Sequence, residues 1–65
     1  MERYRVAGST RTFGVGDRIT YPGSPIVGRV EAVHTLAGTV ELVSVRWPSR
    51  KLIEQISPRY LVVVA

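Results

Sequence analysis

The sequence predicts an all-β fold, a small barrel of five strands, and three observations lead there. No stretch repeats apolar residues at the i, i+3, i+4 spacing of a helix face. Short alternating or apolar runs recur instead, each bounded by Gly, Pro, Ser or Asp. Sixty-five residues hold one domain only. The reading is a single barrel over residues 1–65, with 1–11 as an N-terminal strand or arm and 12–65 as the barrel proper.

Taken in order, Arg3-Tyr4-Arg5-Val6 alternates, so Tyr4 and Val6 share one face and the two arginines the other. Gly8-Ser9-Thr10 ends that run. Gly14-Val15-Gly16-Asp17 predicts a tight turn, because glycine accepts positive φ and aspartate bonds nearby backbone. Arg18 to Tyr21 is the next strand, and Pro22-Gly23-Ser24-Pro25 a loop. Ile26 to Val33 follows as a strand with Ile26, Val30 and Ala32 in phase, and Gly28 inside it predicts a bulge or sharp bend. His34 to Gly38 reads as a connection.

Thr39 to Trp47 is the longest strand. Its alternation slips between Leu42 and Val43, which predicts a bulge or burial on both faces. Pro48-Ser49-Arg50 makes a short hairpin turn, Lys51 to Ile56 returns, and Ser57-Pro58-Arg59 forms one turn of 3-10 helix. Tyr60 to Val64 closes the chain. Five strands, a long first loop, a short distal hairpin and a 3-10 turn before the last strand are the element order of an SH3-like barrel.

The closing run Tyr60-Leu61-Val62-Val63-Val64 does not alternate, so its outer face needs cover. The segment around Tyr4 and Val6 is one candidate cover. A second subunit or a partner protein is the other, with Tyr60, Val62 and Val64 as interface candidates.

Composition narrows the function classes. A chain this short buries only about 60% of its unfolded surface, so oligomerisation or a protein partner is expected to add stability. There is no cysteine, which excludes disulfides and Cys-based zinc. No run reaches the roughly 20 apolar residues of a membrane span, and Met1 to Arg5 leads into no apolar signal region. These features read as an intracellular, cytoplasmic chain without a membrane role.

The net charge is +4, and eight of the nine basic residues are arginine, Lys51 being the single lysine. Arginine suits bidentate recognition of phosphate and carboxylate. Arg46, Arg50, Lys51 and Arg59 gather in one stretch of sequence, with Arg29 added from the preceding strand. Nucleic acid or an acidic protein surface is the expected partner.

Trp47 lies within this cluster. It is a stacking candidate for an unpaired base, yet on a strand it points away from Arg46, and capping the core is the favoured role. His34 reads as an exposed loop histidine. The serines lack a nucleophile context, the five acids show no catalytic pairing, and the glycines precede no helix that would bind phosphate. No catalytic residue, metal or cofactor is assigned, and the chain is read as a non-enzyme.

Two resemblances follow. Val15-Gly16-Asp17-Arg18-Ile19, Gly28 to Val33, Val43 to Trp47 and Ile56 to Leu61 together resemble the Tudor/KOW-type group of SH3-like domains over nearly the whole chain. That resemblance implies a binding module for RNA, DNA, ribosomes, polymerase or protein tails. Thr12-Phe13-Gly14-Val15-Gly16-Asp17-Arg18 is similar to the barrel start of plasmid-borne type II dihydrofolate reductases, homotetramers whose central pore binds NADPH and dihydrofolate. Gln55 and Ile56 match that family's ligand-contacting glutamine and isoleucine. Ser57 stands where its functional tyrosine belongs, Tyr21 where its pore lysine is sought, and Glu54 adds negative charge near a site for anionic ligands.

The expectation is therefore a basic, non-enzymatic binding module. A structural or assembly subunit of a larger complex, such as a phage particle, is the alternative, and the tetrameric reductase stands third.

Overall fold

The computed structural model describes residues 2–64. Seven short strands and one 3-10 turn follow one another: β1 (Tyr4–Arg5), β2 (Thr12–Phe13), β3 (Arg18–Thr20), β4 (Gly28–Leu36), β5 (Thr39–Arg46), β6 (Ile53–Ile56), the 3-10 turn (Pro58–Tyr60) and β7 (Val62–Val63). They form one sheet in the order β2-β1-β5-β4-β3-β7, with β6 on β5. It curls into a nearly closed barrel compatible with an SH3-like fold. The five expected barrel strands are β3 to β7, and β1 is the N-terminal alternating run. The count of five is corrected by β2, which sequence reading did not foresee: the chain reverses through Gly8 (φ 72°), and Tyr4 pairs Phe13.

The core gathers Phe13, Ile19, Val30, Val40, Val43, Val45, Trp47, Ile56 and Leu61. Phe13, Ile19, Val30, Val43, Val45 and Leu61 are wholly buried, and Tyr4, Val6 and Val33 pack against the cluster. Burying a side chain of this size contributes about 1.5–3 kcal/mol.

Several boundaries move for identifiable reasons. The predicted connection His34 to Gly38 is mostly strand, because β4 and β5 run on to a two-residue reversal at Ala37 (φ 53°) and Gly38 (φ 82°). Positive φ at both central residues is the backbone of a type I′ hairpin turn. The reversal thus falls inside the expected connection, which is only shorter than expected, since alanine is an uncommon residue at positive φ and does not mark the tight turn. Ile26 is half exposed and precedes β4. The distal connection is longer than Pro48 to Arg50, since Arg46 pairs Ile53.

The bulge expected near Leu42 lies one residue earlier. His34 pairs Leu42 while Thr35 pairs Val40, which leaves Glu41 unpaired. Burial on both faces holds as well, with Val43, Ser44 and Val45 all buried. A second bulge falls at Glu31, between the pairs Val30–Val45 and Ala32–Ser44. Gly28 itself pairs regularly with Ile19. Its lack of a side chain admits Trp47 and Val45 instead: a Cβ would stand 2.7 Å from Trp47 Cε3 and 2.8 Å from Val45 Cγ1.

The barrel is open along one seam. The N-terminal arm does not cover the closing strand, because β1 pairs with β2 and, at Arg5–Thr39, with β5. Among the described residues β7 pairs with β3 alone, and Val62 and Val63 remain exposed. A cleft lined by Arg3, Arg11, Thr12, Val62 and Val63 marks the gap. Arg11 bridges it, its guanidinium donating to the carbonyls of Pro58 and Leu61 and lying 5.5 Å from the Phe13 ring centre.

Candidate nucleic-acid interface

Cross-strand pairing assembles the site. Arg18 on β3 pairs Arg29 on β4, and Arg29 pairs Arg46 on β5. Directly paired residues point to the same side of a sheet, and neighbouring strands lie about 4.8 Å apart. Their inward neighbours Ile19, Val30 and Val45 are buried, which turns the three arginines to the outer surface, where all three are exposed. Among the described residues a single carboxylate answers them: Glu31, at the bulge, accepts a hydrogen bond from Arg46 Nε at 2.6 Å. That bond, with the further pull of Arg46 and Arg29, holds the Glu31 carboxyl below its usual range. Arg18 and Arg29 have no ion-pair partner among the described residues.

Two clefts, one of them along this row, share Trp47 as a lining residue. One is lined by Arg18, Val27, Gly28, Arg29, Arg46, Trp47 and Pro48. The other opens at the barrel mouth between Tyr21, Ser24, Ile26, Trp47, Ser49, Arg50 and Glu54. Trp47 forms part of both walls. Its ring stacks on Tyr21 with centroids 5.2 Å apart and planes 21° apart, and it is only 5% exposed, as its core-capping role predicts. Tyr21 is 38% exposed, so the aromatic surface offered to a ligand is that of Tyr21. The mouth cleft holds about 160 Å³, well below the roughly 300–1,000 Å³ of ordinary small-molecule sites.

The basic residues singled out from the sequence separate here. Arg29 and Arg46 join Arg18, which sequence reading left out; a row across strands depends on register and leaves no trace in linear spacing. Arg50 lies at the mouth and donates to Glu54 Oε1 at 2.8 Å. Lys51 is exposed in the distal loop. Arg59 is exposed on the 3-10 turn and lines neither cleft. Of the interface candidates, Tyr60 and Val62 are exposed beside the seam, while Val64 is partly buried and donates its N–H to Arg18 O at 2.7 Å.

His34 is exposed, on β4 rather than in a loop, with Nε2 2.8 Å from Ser44 Oγ. Ser44 is 6% exposed, so the contact satisfies a buried hydroxyl. Gln55 and Ile56 lie on opposite faces of β6, the first exposed and the second in the core, and within one chain they present no shared surface. No three His, Asp or Glu side chains converge as a metal site among the described residues, and no helix there is long and apolar enough to cross a membrane.

No family model, curated protein or solved structure matches the chain.

Proposed function

We propose that this chain is a non-enzymatic SH3-like binding module, akin to the Tudor/KOW-type group, whose ligand is nucleic acid held through its phosphates. The observation that carries the reading is the row Arg18–Arg29–Arg46, three outward guanidinium groups with one carboxylate among them. Placing like charges directly opposite one another lowers the stability of a sheet, and an anionic ligand reverses that effect. Three neutralised phosphates give a salt slope of about −2 in log K against log salt on a single strand.

Fluorescence anisotropy with labelled oligonucleotides across a salt series tests this. Arg29→Thr is expected to lower the slope by about 0.7, one contact's share. Glu31→Gln is expected to strengthen binding, since it removes the carboxylate that Arg46 bonds beside the row. A slope near zero, or affinity indifferent to both substitutions, rules the reading out. Tighter binding to an acidic polypeptide moves it to a protein ligand.

The open seam supports a second reading, that of an assembly subunit in a larger complex such as a phage particle. Tyr60, Val62 and Val63 are 56%, 38% and 44% exposed beside an edge strand, and an uncovered apolar edge favours protein contact. A chain that sediments as a monomer at every accessible concentration, with no partner retained, counts against it. The reductase-like alternative draws no support from the separated Gln55 and Ile56.

A further inference from the structure

We propose that the ligand is single-stranded, with phosphates on the Arg18–Arg29–Arg46 row and one unpaired base in the mouth cleft against Tyr21. This rests on the nucleic-acid reading above and names the form of the ligand.

The two clefts share Trp47 as a wall, so a chain lying along the arginines has a route to the mouth past the exposed Pro48. Tyr21 has one face on Trp47, and its remaining exposure offers a flat surface backed by a second ring. Such a platform stacks a base without regard to its identity. Polar groups surround it: the hydroxyl-bearing Ser24 and Ser49, and the Arg50–Glu54 ion pair, which presents donors and an acceptor together. A cleft of about 160 Å³ suits one planar group. A phosphate row beside one aromatic site is the arrangement expected for a backbone with a splayed base.

A duplex makes poorer use of the same surface, because its bases are already stacked. The element long enough to enter a major groove is the β4–β5 hairpin, since a two-stranded ribbon fits there. Its distal residues, His34 to Thr39, include no arginine or lysine, and Glu41 follows them. An acidic peptide answers the arginines but leaves the Tyr21 surface unused.

The test compares labelled oligothymidylate of about 12 nucleotides, an abasic oligomer of equal length, the matched duplex and oligoglutamate, all at low salt. Oligothymidylate is expected to bind roughly 5- to 150-fold tighter than the abasic oligomer. Emission from Trp47, the single tryptophan, is expected to change with oligothymidylate alone. Tyr21→Leu is expected to abolish the difference and Tyr21→Phe to keep it. If Tyr21→Leu fails to fold, the emission of the unaltered chain decides. Equal affinity for the base-bearing and abasic strands with Trp47 unmoved overturns the base site while the arginine-row reading survives. Tighter binding to the duplex also overturns it. Binding to oligoglutamate alone, or to none of the four, overturns both.

Discussion

Arg29 sits between two other arginines, paired with Arg18 on one side and Arg46 on the other. Like charges in direct cross-strand pairs are worth roughly 0.2–1 kcal/mol of destabilisation each. Arg29→Thr is therefore expected to raise the stability of the free chain by up to about 1 kcal/mol in urea denaturation, even as it weakens oligonucleotide binding. A residue whose removal stabilises the fold and impairs binding is held for function. Asp17 shows the opposite case. It accepts two hydrogen bonds from Arg3, at 2.9 and 2.8 Å, and one from the Gly14 N–H at 3.0 Å. The Arg3 bond foremost holds its carboxyl below the usual range, against the opposing effect of burial. Because the folded pKa lies below the unfolded value of about 3.9, the stabilisation is fully present above that value. It is lost as pH falls toward the folded pKa. Acid titration of stability is expected to fall through this window, and Asp17→Asn to flatten the fall.

At the scale of elements, the seam is the barrel's weakest join. Among the described residues β7 has one partner strand, and Arg11 ties down the segment that leads into it, its guanidinium donating to the carbonyls of Pro58 and Leu61. Hydrogen bonds from a charged donor contribute about 1.5–3 kcal/mol. Arg11→Ala is expected to lower stability by about that amount and to speed amide exchange at Val62 and Val63. Arg11→Lys should recover only part of it, because an ammonium lacks the planar fork. Unchanged exchange at both valines would show that β3 alone holds the strand.

For the whole molecule, the radius of gyration is 11.0 Å, close to the roughly 11 Å that chain length gives for a compact domain. Many of its pairings join distant stretches, among them Arg5 with Thr39 and Ile19 with Val63. Non-local β topology folds in milliseconds to seconds. Trp47 contacts Tyr21 and lies over Gly28, so its emission follows closure of the barrel mouth. Stopped-flow refolding is expected to show a single phase in that range. A dominant microsecond phase would mean that Trp47 is buried by local contacts before the sheet closes.

The class of fold was legible in the sequence because it depends on local chemistry. Period-two alternation at Tyr4 and Val6, the Gly14–Asp17 turn and Pro58 opening the 3-10 turn each act within a few residues. Trp47 as a core cap followed in the same way, from its size and the smallness of the domain. What escaped was set by pairing between distant strands. Arg18 joins Arg29 and Arg46 only through register, and the run of β4 and β5 right up to the Ala37–Gly38 reversal is set by their pairing. Arg11 became a seam bridge because β1 went to β2 and β5 instead of to β7. The sequence by itself determined the all-β class, most of the strands and the positive charge of this protein. Only the tertiary structure decided which charges stand together, because register brings residues from separate strands within about 5 Å and no linear spacing encodes that distance.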